Sequence, residues 1–211
     1  MSKPIVTMQP ASHSDGRARI LYSAIRLFAQ RGYSAVSISD VAQAAGVVKS
    51  AIYHHFPSKD ALYLAVLHET VRQSREQMEA SAHGETWSDR LRGVALAVGR
   101  LVGPQSHVFS IILEGMAQNS PKTDPTSAAD GADLRRQFVS AIAKEIRTGV
   151  AAGDLNPVDP DLGGLCLIGL IAAALQATPN VFEPAQVTFA VDLFLQGAAR
   201  RVPEHPAPLP D

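Results

Sequence analysis

The sequence predicts an all-α protein, with a small N-terminal helical domain followed by a larger helical one. Through most of the chain, apolar residues recur at spacings of three and four, which places them on one face of a helix. We find no convincing alternation of the kind that marks a strand, and glycine or proline separates most of the apolar runs. A hydrophobic content of 46% is ample for two buried cores.

The first predicted helix carries an apolar stripe formed by Ile20, Ala24, Leu27 and Phe28. Gly32 follows this stripe, and a glycine directly after the last apolar position is typical of a helix C-terminus. Residues 1–15 contain no apolar run long enough for a signal peptide. We expect these residues to form a disordered arm.

A short second helix is predicted to begin after Ser37, which fits the N-cap position. Asp40 follows three residues later and gives a weaker form of the capping box, which usually has Glu or Gln there. Gly46 then supplies the turn conformation that a β-branched residue would resist. The buried face of this helix would consist of Ile38, Val41, Ala42 and Ala45.

A third helix is predicted from Lys49 to Phe56. Ile52 and Phe56 lie four residues apart on its inner face, so the opposite face is left to Lys49, Ser50, Tyr53 and His54. Pro57 ends this helix, and Ser58 caps a fourth, which continues from Leu62 to about Ala80. Two short helices joined by a tight turn can place the second one in a DNA major groove.

Residues 24–67, AIRLFAQRGYSAVSISDVAQAAGVVKSAIYHHFPSKDALYLAVL, resemble the N-terminal DNA-binding domain of TetR-family transcriptional regulators. The resemblance implies a helix-turn-helix domain whose third helix reads double-stranded operator DNA. Candidates for contact with base edges and the adjacent backbone are Lys49, Ser50, Tyr53 and His54, and candidates for contact with phosphates are Ser37, His55 and Lys59. Val48 and Ala51 stand where the family often has hydroxyl side chains, so no contact is assigned to either.

Several of these residues also have an interpretation without DNA. Ser37 is a sufficient helix cap by itself. His54 and His55 could suggest metal ligands, but adjacent helical residues point about 100° apart, and neither cysteine nor an acidic residue has a suitable spacing. Lys59 opposes the helix macrodipole in the first turn of its helix, which suggests a negative partner opposite it, although Asp60 beside it weakens that argument.

The charge distribution separates the two domains. Residues 1–68 carry a net charge of +4, whereas the whole chain carries −1, which leaves −5 for the remainder. A basic N-terminal region is expected of a nucleic-acid-binding module attached to a different one. The single cysteine, Cys166, excludes an internal disulfide and fits a reducing cytoplasm.

We assign residues 16–62 to the DNA-binding domain, 63–202 to a ligand-binding and dimerisation domain, and 203–211 to a flexible tail. Helices are predicted from Trp87 to Val102 and from His107 to Gln118. Residues 119–131 are rich in Ser, Pro and Asp and predict a loop. A long amphipathic helix then follows, with an apolar stripe of Leu134, Phe138, Ile142, Ile146 and Val150, and ends near Gly153.

The segment from Leu162 to Phe182 carries no charge, which could suggest a membrane span. Its strongly apolar part, residues 162–175, is short and better fits a buried core helix. The family resemblance implies that the last two long helices, from Leu162 to Ala177 and from Pro184 to Arg200, form a homodimer interface. The alternative is the centre of a monomeric bundle. Dimerisation would place two recognition helices about 34–36 Å apart, as successive major grooves require.

The resemblance also implies an effector cavity within the second domain. Candidate lining residues are Trp87, Leu91, Phe109, Leu113, Met116, Phe138, Ile142 and Cys166, with His107, Glu114 and Gln118 as possible polar contacts. The alternative is that these side chains are ordinary core. Such a cavity would take an unknown, mostly apolar small molecule. We therefore expect a ligand-responsive regulator, most simply a repressor released from a palindromic operator, although the opposite polarity is compatible with the sequence.

Two other classes of protein are disfavoured. The sequence contains neither G-x-S-x-G nor G-x-G-x-x-G, and it lacks a P-loop and metal-spaced Cys or His clusters, so neither an enzyme nor a cofactor is expected. Asp159 and Asp161 flank Pro160, where solvation and helix capping explain both acids. An architectural DNA-binding protein would not need a large apolar second domain.

Overall fold

The computed structural model describes residues 16–103, 125–177 and 182–199, and eight helices lie within these ranges. They are α1 (Gly16–Arg31), α2 (Ile38–Ala45), α3 (Lys49–His55), α4 (Lys59–Ala80), α5 (Trp87–Val102), α6 (Pro125–Ala152), α7 (Pro160–Leu175) and α8 (Pro184–Ala198). The all-α prediction is confirmed. The predictions for residues 1–15, for the helix from His107 to Gln118 and for residues 203–211 fall outside the described residues.

Helix α2 begins and ends where the sequence predicts. The Asp40 backbone N–H donates to the Ser37 hydroxyl at 3.2 Å, and the Ser37 backbone N–H donates to the Asp40 carboxylate at 2.7 Å. Both halves of the capping box are therefore present. At the other end, Gly46 adopts a left-handed conformation with a φ of 65°. This turn sets the angle between α2 and α3.

The N-terminal core is closed by α1, α2, α3 and the first turns of α4. Ile20, Val41, Ile52 and Leu62, one from each helix, are completely buried. An aromatic cluster joins α1 to α4, because Phe28 and Tyr63 meet edge to face with ring centroids 5.2 Å apart. The exposed face of α3 is thus held on a packed support.

Helix α4 runs without interruption from this core into the second one. Near its start it packs against α1, and it also packs against α5 and α6. Its buried side chains continue from Leu62 and Val66 through Val71 to Met78. The domain boundary expected at residue 62 lies within this continuous helix, so a single rigid element connects the two cores.

The second core is built from α5, α6, α7 and α8 together with the C-terminal half of α4. Helix α6 begins at Pro125, so the prediction of a loop through residue 131 is wrong for residues 125–131. Proline is well tolerated at the first position of a helix, where its missing N–H has no intrahelical partner. The end of α6 is as expected, because Gly153 follows it with a φ of 80°.

Two polar contacts between distant segments hold α5 against α6 and the turn that follows it. Glu145 on α6 is 1% exposed, and its carboxylate lies 2.9 Å from the Nε of Arg90 on α5. The Trp87 indole N–H donates to the Asp154 carboxylate at 2.8 Å. Within the described residues, none of the helices is long and apolar enough to cross a membrane.

The contact of the buried Glu145 with the partly exposed Arg90 predicts a large asymmetry between single and double substitutions. Arg90→Met should lower the free energy of unfolding by about 3 kcal/mol, because it leaves the Glu145 carboxylate buried without a counter-charge. The double variant Arg90→Met, Glu145→Met should recover most of this loss. Urea unfolding of the three proteins measures both effects, and an Arg90→Met protein as stable as the parent would contradict the assignment.

Candidate nucleic-acid interface and apolar surface

The outer face of α3 presents polar side chains to solvent. Lys49, Ser50, Tyr53 and His54 are all exposed, and 52% of the Tyr53 side chain is accessible. Ile52 on the opposite face is completely buried. The orientation predicted for this helix is confirmed, whereas its contact with DNA stays a prediction.

The two departures from the family pattern lie at the start of α3. Val48 occupies the N-cap position and makes no side-chain capping hydrogen bond, and it is 68% exposed. Ala51 lies in the first turn and is partly exposed. Neither residue has a hydroxyl group to offer a phosphate. Any phosphate contact made by this face would therefore come from its remaining polar side chains.

Ser37 is engaged as a helix cap. Its hydroxyl accepts a hydrogen bond from the Asp40 backbone N–H and donates one to the Asp40 carboxylate at 2.6 Å. The hydrogen bond from the Ser37 hydroxyl, and to a lesser extent the one from the Ser37 backbone N–H, hold the pKa of the Asp40 carboxyl below its usual value. The capping role is therefore present in the structure, and a phosphate contact stays a prediction.

Lys59 has a partner that the sequence did not reveal. Its ammonium group lies 4.1 Å from the centroid of the Tyr33 ring, an arrangement that stabilises a cation over a π face. Tyr33 in turn donates its hydroxyl proton to Asp60, and burial together with this contact raises the pKa of Tyr33 to about 12. A cation in the first turn of α4 is thus accommodated without DNA.

Arg17 lies near the same surface, although it was not among the residues predicted to contact DNA. Its guanidinium lies 5.2 Å from the centroid of the Phe56 ring, directly after α3. The exposed His55 ring lies beside the start of α1, with its Nε2 atom 3.9 Å from the point that a Cβ on Gly16 would occupy. The sequence feature that could have identified Arg17 is the one used for Lys59, because each is a cation in the first turn of a helix.

Apart from Cys166, the predicted effector-lining residues separate into three groups. Leu91, Phe138 and Ile142 belong to one continuous buried cluster. Trp87 packs against the C-terminal part of α6, because its ring lies 2.9 Å from the point that a Cβ on Gly149 would occupy. The remaining interior candidates, Phe109, Leu113 and Met116 with the polar His107, Glu114 and Gln118, lie outside the described residues.

Cys166 corrects one of these assignments. Its side chain is exposed, whereas its neighbours Leu167 and Ile168 are buried. The helical phase of α7 therefore turns Cys166 away from Phe138 and Ile142. An apolar run does not reveal which of its faces is internal, which is why Cys166 was proposed to line the cavity.

Helices α7 and α8 together expose an uncharged surface. We call it the α7–α8 face and define it by Leu162, Leu165, Cys166, Gly169, Ala173, Phe189, Leu193 and Gly197, which are all exposed. The opposite side of α7 is buried through Gly164, Leu167 and Ile171. A helix that is apolar on every side is normally covered on every side. Within the described residues, the α7–α8 face lacks such a cover.

Comparison with known proteins gives one consistent set of relatives. Residues 20–66 match the family described as bacterial regulatory proteins, tetR family. The chain is 41% identical over 185 residues to the HTH-type transcriptional repressor Rv1474c of Mycobacterium tuberculosis, covering 88% of this chain and 93% of that relative. It is 33% identical over 114 residues to the HTH-type transcriptional activator FasR of Mycolicibacterium smegmatis, but this match spans only half of that relative.

A solved structure extends the similarity to the three-dimensional fold. The TetR family transcriptional regulator PfmR from Thermus thermophilus superimposes with a TM-score of 0.63 at 26% sequence identity. The match covers 86% of this chain and 100% of that one. The similarity thus includes both helical cores.

The capping box at α2 makes Ser37 a stability determinant. Ser37→Ala should lower the free energy of unfolding at pH 7 by about 1 kcal/mol, because two cap hydrogen bonds are lost. Since the folded pKa of Asp40 is lowered, its contribution is present above the unfolded value of about 3.9 and disappears as pH falls through the folded pKa.

The difference between the parent and Ser37→Ala should therefore shrink between pH 7 and pH 3 in urea unfolding. Ser39→Ala serves as the matched control, because Ser39 is an exposed serine of α2 outside the cap. Equal stability of the parent and Ser37→Ala at pH 7 would show that the cap is energetically silent.

Proposed function

Because this chain belongs to the TetR family of bacterial regulatory proteins, we propose that it is a ligand-responsive transcriptional regulator that binds a palindromic operator as a homodimer. TetR-family proteins are DNA-binding regulators and not enzymes. The observation that carries the proposal is the exposed polar face of α3, fixed by a buried Ile52 on a capped and closely packed support.

In this proposal α3 enters the major groove. Lys49 suits guanine, because its ammonium can donate to both O6 and N7, while Ser50 can serve either base type. Tyr53 and His54 offer rings and hydrogen-bonding groups one turn further along the same face. Around this face, His55, Lys59 and Arg17 would contact phosphates, and Ser37 would add its hydroxyl if it can leave Asp40.

The homodimer is proposed to form through the α7–α8 face, as expected for the segments from Leu162 to Ala177 and from Pro184 to Arg200. A second copy supplies the missing cover for an uncharged helix surface. Leu162 is 58% exposed and Phe189 is 65% exposed, although both are apolar. Dimerisation would also place the two copies of α3 at the separation that successive major grooves require.

The regulation is proposed to be repression relieved by an apolar small molecule. A relative that is 41% identical along most of both chains is named a transcriptional repressor, which supports this polarity. The ligand would bind near Leu91, Phe138 and Ile142 and would favour a different position of α4. Since α4 carries the N-terminal core, the spacing of the two recognition helices would change. Binding to chromosomal DNA would place the protein in the cytoplasm.

Tyr53→Ala should abolish specific operator binding, because it removes an exposed ring from the centre of the recognition face while leaving the buried Ile52 untouched. The measurement is a mobility-shift titration against operator DNA, with a loss of at least about 30-fold expected for a central contact. Tyr53→Phe separates the ring from the hydroxyl.

Unfolding curves and the oligomeric state of Tyr53→Ala should match those of the parent. If its operator affinity is unchanged, the proposed recognition face is incorrect.

Gly169→Leu should convert the dimer into a monomer without unfolding the chain. A Cβ on Gly169 would meet no atom within 4 Å in the isolated subunit, so a leucine fits the monomer but projects into the proposed interface. Light scattering reports the mass. Lys144→Leu adds the same side chain at an exposed position of α6 and should stay dimeric. A dimeric Gly169→Leu protein would refute this placement of the interface.

A further inference from the structure

A groove lies between α7, α8 and the turn before α7. Its walls include Val158, Leu170, Leu193 and Phe194, and Gly197 forms part of its floor. Its volume is about 420 Å³. A cavity of about 150 Å³ lined by apolar side chains is large enough to hold benzene. The groove therefore has room for an aromatic ring.

The same surface carries an exposed aromatic side chain. Phe189 is 65% exposed and lies two helical turns before Gly197 on α8. It does not line the groove. A Cβ on Gly197 would meet no atom within 4 Å, so the space above this glycine is open. One face of α8 thus holds both a projecting ring and a recess.

Charge restricts what could fill the recess. The named walls of the groove and the exposed stripe of α7 carry no ionised side chain. Asp192, the acidic residue beside Leu193, is paired with Arg92 at 3.2 Å. The Asn156 amide at the end of the groove donates to the Ala199 carbonyl oxygen at 3.0 Å. An uncharged, apolar occupant can therefore enter without stranding a charge.

Leu193, which is 49% exposed, lies midway between Phe189 and Gly197 on α8. In an interface between identical subunits, if residue i contacts residue j, then j also contacts i. Two antiparallel copies of α8 that cross at Leu193 pair the residue four positions before it with the residue four positions after it. Those residues are Phe189 and Gly197.

Helix α7 borders the same groove. Leu170 lines the same groove as Leu193, and Gly169 precedes Leu170 within the exposed stripe. Gly163, near the start of α7, lies beside Phe194, because a Cβ on Gly163 would be 3.7 Å from the Phe194 ring. Gly169 and Gly197, over which the space is open, are both exposed residues of the α7–α8 face.

We infer that Phe189 of each subunit inserts over Gly197 of the partner subunit, so that two reciprocal ring-and-recess contacts flank the two-fold axis. This pairing rests on the proposed homodimer and specifies which residues hold it together. Aromatic side chains that fill a recess at the centre of an interface commonly provide most of its affinity.

Two single variants should weaken the dimer for opposite reasons. Phe189→Ala leaves two empty recesses and should raise the dimer dissociation constant at least about 30-fold, the loss typical of an interface hot spot. Gly197→Leu fills both recesses and should have a similar effect. Thr188→Ala, which removes an exposed neighbour of Phe189, should behave like the parent.

The decisive experiment mixes the two variants. The heterodimer keeps one native contact, between Phe189 of the Gly197→Leu chain and Gly197 of the Phe189→Ala chain. At its second contact a leucine faces an alanine, which exchanges the large and small positions. Native mass spectrometry should therefore detect the heterodimer at concentrations at which each variant alone is monomeric.

The outcomes separate the pairing from the dimer itself. A Phe189→Ala protein that dimerises like the parent, or a mixture that associates no better than its separate components, would overturn the pairing. In the first case the groove would be free for another apolar occupant. A parent chain that remains monomeric would overturn the homodimer and the pairing together. Far-UV circular dichroism and thermal unfolding establish that each variant is folded.

Discussion

The continuity of α4 is the constraint on which the rest of the structure depends. This helix runs from Lys59 to Ala80 and contributes Leu62 and Val66 to the N-terminal core, then Val71 and Met78 to the second core. At 1.5 Å per residue it is about 33 Å long. Because both cores share one continuous helix, we expect a displacement at its C-terminal half to move α3.

Two further features of the structure bear on DNA recognition. The capped turn at Gly46 and the buried Ile52 fix the face of α3, so that its exposed polar side chains form one surface. In the proposed homodimer, association through the uncharged α7–α8 face would place two such surfaces on one DNA duplex. A ligand that shifts α4 in each subunit would therefore act on the distance between the recognition helices and need not touch DNA.

The local parts of this structure were predictable from the sequence. Ser37, Asp40 and Gly46 act within a single turn of chain, so their residue types suffice to specify the cap and the turn. The inner face of α3 follows from the spacing of Ile52 and Phe56. The α7 segment could be recognised as a short core helix, because its apolar part is too short for a membrane span.

What the sequence could not specify depends on contacts between distant segments. Lys59 was expected to face a negative group, and its contact with the Tyr33 ring could not be foreseen. Trp87 was proposed to line a cavity, and its contacts with Asp154 and Gly149 were not predicted. Cys166 was proposed to line the cavity, because an apolar run does not reveal which face of its helix is internal. For Lys59 and Trp87 the missing information was a contact with a distant segment, and for Cys166 it was the orientation of the helix.

The central claim is that two copies of α3, held by one symmetric dimer, read one DNA site. Selection of bound sequences from a random DNA pool tests this claim most directly. A symmetric dimer should select a palindrome whose two half-sites have centres about 10 base pairs, or a multiple of one helical turn, apart. Enrichment of a single asymmetric half-site, or binding without sequence preference, would contradict it.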